Sequence, residues 1–278
     1  MKDLGKRVAV ALIGIPLLLY VIYSGSIPFF IAIIIISTIS LWEFYEIARN
    51  KGTQPLTILG LLVNIISLTL LYLHSINFNI TQYYLITFLL FIICAFLFQL
   101  FRKENNSISN ISITIGGLIY INLMFASLYM LREFHLFFGK VIEFNPMLLV
   151  YSFIISIWVC DSAAYFVGSK FGKNKLMPSI SPKKSWEGAV AGFIGSVLSM
   201  LIFNLITNNF SIIHSLVIGV LVGTAGQIGD LSESQIKRDA NVKDSSNILP
   251  GHGGFLDRFD SIMFVSPIIL LYLLILSF

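Results

Sequence analysis

The stretch that decides the fold is residues 262–276, which read Ile-Met-Phe-Val-Ser-Pro-Ile-Ile-Leu-Leu-Tyr-Leu-Leu-Ile-Leu without a charged side chain. A second apolar run, Ile31–Ile36, lies near the other end of the sequence. Of the whole sequence, 56% is hydrophobic and only 12% is charged, whereas soluble domains are about 25% charged. A chain with so few charges cannot cover a soluble globule. The sequence therefore predicts an integral membrane protein.

Nine apolar segments are long enough to cross a bilayer as helices, which takes about 20 residues, with about 17 as a lower limit. The segments are continuously apolar rather than alternating, which favours helices over strands. We therefore expect an all-α integral membrane protein with about nine transmembrane helices. The segments are 8–24, 28–47, 56–74, 82–101, 111–131, 147–168, 188–207, 211–229 and 261–278.

The basic residues predict the orientation, because cytoplasmic loops are enriched in Lys and Arg. With a cytoplasmic N-terminus, all 18 basic residues except Arg132 and Lys140 lie on the cytoplasmic side. An error of one span would remove this bias. The first segment also resembles a secretory signal, since small residues follow it at Ser24-Gly25-Ser26. The cytoplasmic bias of the basic residues, however, is found when this segment is kept as a span, which favours a retained helix. We predict a multi-pass protein of the inner (plasma) membrane.

Two polar connections on the predicted cytoplasmic side, Gly168–Gly188 and Asp230–Asp260, carry much of the charge. Polar loops held on a rigid scaffold are where catalytic groups concentrate. We therefore predict two parts. Residues 1–140 form N-terminal transmembrane helices with about five spans, and residues 141–278 form a catalytic transmembrane domain with about four spans and an active site facing the cytoplasm.

Three acidic residues fall inside predicted spans. Asp161 lies about two turns from the cytoplasmic end of its span, where a charge costs about 2.5–3.5 kcal/mol. It is therefore a functional candidate, with a carboxylate that hydrogen-bonds between packed helices as the alternative. Glu43 and Glu46 lie closer to the interface, where an acid that reaches toward water is the favoured interpretation.

The second polar connection has the composition of a site for Mg²⁺ and a polyphosphate. Its first part has polar residues at i, i+3, i+4, i+7 and i+8, which share one face if the segment is helical: Asp230, Glu233, Ser234, Lys237 and Arg238. The turn Pro250–Gly254 follows, whose glycines allow close backbone approach to a ligand. Carboxylates and cations come next, at Asp257, Arg258 and Asp260. By spacing alone, a solvated charged loop stays an alternative.

At these residues the sequence resembles the phosphatidate cytidylyltransferase family, also called the CDP-diacylglycerol synthases. The family pattern Ser-x-x-Lys-Arg, Lys-Asp, Pro-Gly-His-Gly-Gly and Asp-Arg-x-Asp is present without departure at Ser234–Arg238, Lys243-Asp244, Pro250–Gly254 and Asp257–Asp260. A second family stretch matches at Asp161–Tyr165, Gly168, Phe171-Gly172 and Ser181–Gly188, although many members have Thr in place of Ser185. The resemblance covers about residues 158–261.

The resemblance implies a reaction in which CTP and phosphatidic acid give CDP-diacylglycerol and pyrophosphate. It implies Mg²⁺ held by Asp230 and Asp257, with a second metal ion left open and Asp161, Asp260 and Glu233 as weaker candidates. The implied catalytic residues are Asp230, Asp257, Lys237, Arg258 and Asp161. The implied substrate-binding residues are Lys183, Lys184, Arg238, Ser234, His252, Gly253 and Gly254. Trp186 is a candidate to stack on cytosine, with an interface anchor as the favoured alternative.

The expected partners are CTP, phosphatidic acid and the lipid bilayer, and no nucleic acid. The family also implies a homodimer, which composition cannot show. Glycines at Gly219, Gly223, Gly226 and Gly229 predict close helix packing, either within the chain or at a dimer seam. Two other functions stay open: a CTP-dependent polyprenol or phytol kinase-like transferase, and a transporter that uses Asp161 as an ion-coupling site.

Overall fold

The structure is a computed structural model that describes residues 2–76, 78, 80–102, 105–140 and 142–277. It is almost entirely helical. The helices are α1 (Lys2–Ser24), α2 (Ser26–Asn50), α3 (Thr57–Ser75), α4 (Thr81–Phe101), α5 (Ser107–Arg132), α6 (Phe134–Phe138), α7 (Pro146–Phe171), α8 (Trp186–Thr207), α9 (Ile212–Asp239) and α10 (Leu256–Ser277). The strands are β1 (Lys175–Met177) and β2 (Ser181–Ser185), which pair antiparallel.

The all-α membrane fold is confirmed. Within the described residues, eight helices are long and apolar enough to cross a bilayer, namely α2 to α5 and α7 to α10. In α1 the apolar part is the shorter segment Val10–Ser24. The count of nine spans and the cytoplasmic N-terminus stay predictions. Lys103, one of the basic residues assigned to the cytoplasmic side, and Phe278, the end of the ninth predicted span, lie outside the described residues.

The helices extend further into the polar connections than the apolar segments predict. Helix α9 continues beyond residue 229 to Asp239, and α10 begins at Leu256 instead of residue 261. The first polar connection contains a short hairpin that the sequence did not predict. Its register pairs Lys175 with Ser185 and Met177 with Ser181. The strands are too short and too polar to show the alternation that identifies a strand.

The chain forms two compact units. Unit 1 comprises the residues up to Tyr129 together with Ile236–Arg258, and unit 2 comprises Met130–Gln235 together with Phe259 and the residues after it. Helices α9 and α10 therefore each contribute residues to both units. The predicted division of the chain at residue 140 into scaffold and catalytic parts stays a prediction.

The core of unit 1 contains polar side chains that join α2, α3 and α5. Tyr45 is fully buried, and its hydroxyl donates to the backbone oxygen of Thr114 at 2.7 Å. The amide of Asn64 donates to Ser37 Oγ at 3.0 Å, and Asn122 Nδ2 donates to Asn64 Oδ1 at 2.9 Å. Helices in a bilayer gain no hydrophobic energy from packing on each other, so such interhelical hydrogen bonds help to hold them together.

Unit 2 packs its helices through glycines, as the glycine pattern of α9 predicted. A Cβ atom at Gly219 would lie 2.9 Å from Val197 Cα on α8, so α8 and α9 nearly touch there. A Cβ atom at Gly229 would lie 2.7 Å from the backbone oxygen of Asp260 and 2.9 Å from Phe264 Cβ on α10. The glycines therefore serve packing within the chain, and they bring α10 against α9 beside Asp230.

Candidate active site

The polar part of α9 is helical, which is the condition under which the spacing of its charged residues places them on one face. Three side chains of this stretch are buried: Glu233 is 1% exposed, Lys237 8% and Ser234 9%. Arg238, a predicted substrate ligand, is exposed and donates from Nη1 to the backbone oxygen of Val242 at 2.8 Å. In this structure Arg238 therefore stabilises the chain that leaves α9.

In unit 1 the structure brings Lys237 together with Asp257. Lys237 Nζ lies 2.5 Å from Asp257 Oδ1, and both side chains are at most 10% exposed. Asp257 Oδ2 accepts three further hydrogen bonds, from Ser245 N and Ser245 Oγ at 2.9 Å and from Gly254 N at 2.8 Å. Hydrogen bonds to an ionised group are about twice as strong as neutral ones. The carboxylate of Asp257 is therefore held in one position by charge-assisted contacts.

The glycine turn before α10 is present as predicted. Gly251 and Gly253 have φ angles of 77° and 81°, a left-handed conformation that glycine adopts without a steric penalty. The turn is closed by a hydrogen bond from Leu249 N to Gly253 O at 2.9 Å. Arg258 Nε donates to His252 O at 2.8 Å, which joins the first turn of α10 to the glycine turn.

The predicted contact of Gly254 with a substrate phosphate stays a prediction, and its N–H has another partner in this structure. The N–H of Gly254 was expected to offer itself to a substrate phosphate, and in this structure it is donated to Asp257. Its hydrogen is therefore already used by a stronger, charged acceptor within the chain. A Cβ atom at Gly254 would collide with Ser245 Oγ and Glu43 Oε1. Gly254 is therefore required here because the chain packs closely against two side chains.

A polar pocket of about 360 Å³ opens at the glycine turn in unit 1. It is lined by Lys243, Asp244, Asn247, Gly251, His252, Gly253 and Arg258. Two cations and a single carboxylate give this lining a net positive charge. Lys243 and Arg258 are both exposed side chains, so they are accessible to a ligand. The pocket therefore suits an anionic ligand such as a phosphate chain.

In unit 2 the structure brings Asp230 together with Lys184 on β2. Lys184 Nζ lies 2.6 Å from Asp230 Oδ2, with the two side chains 29% and 34% exposed, respectively. Ser234 Oγ, one turn further along α9, donates to Asp230 Oδ1 at 3.3 Å. Lys183, the preceding residue on the strand, is exposed and lies on the opposite face because side chains alternate along a strand. This pair is therefore more open to solvent than the pair in unit 1.

The remaining predicted residues of unit 2 lie on α7, α8 and α10. The Lys184–Asp230 pair lies within electrostatic range of Cys160, the residue before Asp161 on α7. Asp161 itself is exposed on the surface of its helix. Asp260 Oδ1 accepts from Ser261 N at 2.6 Å. Trp186 is 58% exposed at the start of α8. This position is compatible both with stacking on cytosine and with an anchor at the membrane interface.

The sequence interpretation missed Glu43. It favoured an interfacial acid that reaches toward water, but the side chain is 0% exposed and accepts hydrogen bonds from residues 245–256. The available signal was a carboxylate inside an apolar span, which is costly unless it has partners. Its partners could not be identified because they lie about two hundred residues further along the chain.

The two predicted metal ligands fit Mg²⁺ to different degrees. Within the residues that the structure describes, no three His, Cys, Asp or Glu side chains gather as a metal site. Mg²⁺ commonly takes only one or two carboxylates, with water and substrate phosphates as its other ligands. Asp230 is accessible and accepts one weak hydrogen bond besides its lysine. Asp257 is nearly buried and has capacity only at Oδ1, beside Lys237. Asp230 therefore fits such an ion better.

Comparisons with known proteins agree on one family. The sequence model described as the cytidylyltransferase family matches residues 5–276. The phosphatidate cytidylyltransferase of Bacillus subtilis (strain 168) is 33% identical over 280 residues, which is 100% of both chains. The protein of the same name from Staphylococcus saprophyticus is 36% identical over 173 residues, 62% of each chain. That of Aquifex aeolicus (strain VF5) is 40% identical over 150 residues, 53% of this chain and 56% of the relative.

The match covers both units, including the hairpin, the polar part of α9 and the glycine turn. From the match over nearly its whole length, the chain belongs to the cytidylyltransferase family.

Proposed function

We propose that this membrane protein is a phosphatidate cytidylyltransferase, which converts CTP and phosphatidic acid to CDP-diacylglycerol and pyrophosphate. The observation that carries the proposal is the polar pocket at the glycine turn, which has two accessible cations, Lys243 and Arg258. The same turn donates from Gly254 N to the fixed carboxylate of Asp257. The relatives named phosphatidate cytidylyltransferase support this choice of substrates. Their names favour cytidylyl transfer over the kinase and transporter alternatives.

The proposed reaction needs no strong general base. A phosphate oxygen of phosphatidic acid attacks the α-phosphorus of CTP and forms a new P–O bond. The bond from the α-phosphorus to the oxygen that bridges to the β-phosphorus breaks, and pyrophosphate leaves with the electron pair. The second pKa of a phosphate monoester is about 6, so the nucleophile is already largely ionised at neutral pH. The main difficulty is the repulsion between two anions.

The side chains of the protein would reduce that repulsion by position and charge. In unit 1, Lys243 and Arg258 are suited to the phosphate chain of CTP, and Arg offers a planar pair of donors for bidentate contact. Asp257, itself held by Ser245 and Gly254, keeps Lys237 beside the glycine turn. In unit 2, Lys183 and Lys184 are candidates for the lipid phosphate. Fixed cations of this kind stabilise charge that develops in the transition state.

Mg²⁺ is the proposed cofactor, with Asp230 as the better candidate ligand and Asp257 as the second. Such an ion, when bound, neutralises phosphate charge and orients the leaving group. Each aspartate is paired with a lysine here, Lys184 and Lys237 respectively. Both carboxylates therefore already attract a cation, which is the property that a metal ligand requires.

We also propose that both polar connections face the cytoplasm, where CTP is available, and that the protein resides in the inner (plasma) membrane. The charge bias of the basic residues supports this orientation. A homodimer stays an expectation from the family resemblance, since the glycines of α9 contact α8 and α10 of the same chain.

The purified protein in detergent, supplied with phosphatidic acid and CTP, tests the proposal. With CTP labelled at the α-phosphate, we expect the label in the lipid product, pyrophosphate release in equal amount, and no product when EDTA removes divalent cations. Transfer of a γ-phosphate label to a lipid alcohol would instead indicate a kinase. Neither product in the presence of Mg²⁺ would refute the proposed function.

A further inference from the structure

Glu43 on α2 directs a buried carboxylate at the chain that leads into α10. Its Oε1 accepts from Ser246 Oγ at 2.5 Å and from Phe255 N at 3.0 Å. Its Oε2 accepts from Ser245 Oγ at 3.1 Å and from Leu256 N at 2.7 Å. A carboxylate has about four acceptor sites, so three are used by Ser246, Phe255 and Leu256 and the fourth depends on the single hydroxyl proton of Ser245. Nothing in the reaction described above gives Glu43 a role.

The same segment supplies the donors to Asp257. The N–H of Gly254 is donated to Asp257, whereas the next two N–H groups, of Phe255 and Leu256, are donated to Glu43. The first N–H groups of a helix have no partner within it, and negative charge is favourable there. The two carboxylates thus divide between them the N–H groups of the two residues before α10 and of its first residue, Leu256.

Ser245 connects the two carboxylates directly. Its hydroxyl lies 3.1 Å from Glu43 Oε2 and 2.9 Å from Asp257 Oδ2. A hydroxyl has one proton, so it donates to one carboxylate at a time, while the backbone N–H of Ser245 is donated to Asp257 at 2.9 Å. A displacement of Glu43 would therefore shift a donor of Asp257.

Glu43 also fixes the glycine turn. It holds the chain at residues 245–246 and again at residues 255–256, on both sides of the turn. The pocket-lining residues Asn247, Gly251, His252 and Gly253 all lie between these two anchored points. Glu43 itself does not line the pocket. Its contacts therefore determine the shape of the pocket without contact to its ligand.

We propose that Glu43 is a positioning residue for nucleotide binding. Its carboxylate holds the segment 245–256 closed around the glycine turn and keeps the donors of Asp257 in place. The inference rests on the proposed function, because CTP is the nucleotide that probes it. Glu43 is distinct from the residues that contact substrate, since it acts through Ser245, Ser246 and the backbone N–H groups of Phe255 and Leu256.

The variant Glu43→Gln tests the proposal, because Gln keeps the shape but turns an NH₂ group toward two of the four donors. We expect the KM for CTP to rise at least about tenfold, equivalent to about 1.4 kcal/mol, with the KM for phosphatidic acid unchanged. A purely structural role would lower the folded fraction and thus Vmax, with both KM values unchanged. The matched control is Glu46→Gln, because Glu46 lies one turn along α2 and pairs with the exposed Arg49. We expect its kinetics to equal those of the wild type.

Ser246→Ala provides an independent variant if Glu43→Gln fails to insert. It removes one donor of Glu43 and no donor of Asp257, and we expect a smaller rise in the KM for CTP. If the KM for CTP is unchanged in both variants, the inference is overturned. The same holds if only Ser246→Ala can be purified and its KM for CTP is unchanged. In either case the proposed function stands as long as the wild-type protein is active. A wild-type protein that makes no CDP-diacylglycerol overturns both.

Discussion

Lys237 Nζ lies 2.5 Å from Asp257 Oδ1 in a nearly buried ion pair. In unit 2, Lys184 and Asp230 form a second pair at 2.6 Å that is about one-third exposed. Each pair joins a predicted metal ligand to a lysine predicted to act in catalysis or on substrate. Because the pair in unit 1 is the more buried, removal of one of its charges should lower stability more than the same change in unit 2. Variants of the two pairs can therefore separate effects on stability from effects on activity.

The first prediction concerns the buried pair. In Asp257→Asn the buried ammonium of Lys237 loses its carboxylate, and removal of one member of such a pair costs about 3–5 kcal/mol. We expect a lower unfolding temperature in detergent and loss of CDP-diacylglycerol synthesis. The double variant Lys237→Met with Asp257→Asn removes both charges, and we expect it to regain stability but not activity. Recovery of activity would show that the pair serves only the fold.

The second prediction concerns Asp230. Exposed ion pairs contribute about 0–1 kcal/mol, so we expect Asp230→Asn to unfold near the wild-type temperature and to lose at least about 100-fold in turnover, or about 2.7 kcal/mol. Asp239→Asn is the matched control, because Asp239 lies on the same helix and pairs with exposed Lys51. Its rate should stay within about threefold. For both variants, activity is also measured as a function of Mg²⁺ concentration. If Asp230→Asn keeps the wild-type rate and the wild-type Mg²⁺ requirement, Asp230 is not a metal ligand.

The third prediction concerns the close approach of α9 and α10 in unit 2. Gly229→Ala places a methyl group 2.7 Å from the backbone oxygen of Asp260, which cannot yield as a flexible side chain would. We expect the helices to separate, with lower stability and activity. Gly226→Ala, one turn earlier, meets its nearest atom at 3.6 Å, an ordinary contact, and should be tolerated. Equal thermal unfolding and activity for the two variants would contradict this packing.

The fourth prediction concerns topology. In a background with Cys94 and Cys160 replaced by Ala, single cysteines at Lys175 and Lys243 should react with an impermeant maleimide only from the cytoplasmic side. A cysteine at Lys140 should react only from the opposite side. This follows from the bias of basic residues toward the cytoplasm. Opposite labelling of the first two positions would refute the nine-span arrangement.

The sequence predicted the membrane helices well because bilayer length and hydrophobicity are local properties. It did not predict that α9 continues to Asp239, because the apolar run ends ten residues earlier. The charge spacing placed the polar residues on one face only if the segment were helical. Contacts between distant residues were not predictable. Lys184 on β2 meets Asp230 on α9, and Glu43 on α2 meets Leu256 on α10, only in the folded chain.

The contacts of Glu43 also have a consequence for biosynthesis. Its partners lie up to 213 residues further along the chain, and synthesis proceeds at about 5–20 residues per second. For about 10–40 seconds after α2 is made, its carboxylate therefore lacks the donors that stabilise it in the finished protein. An unsatisfied charge costs about 2.5–3.5 kcal/mol at the centre of a span and less toward the interface, where Glu43 lies. A chain interrupted before Ser245 would never gain these donors, so its α2 would keep an unsatisfied carboxylate.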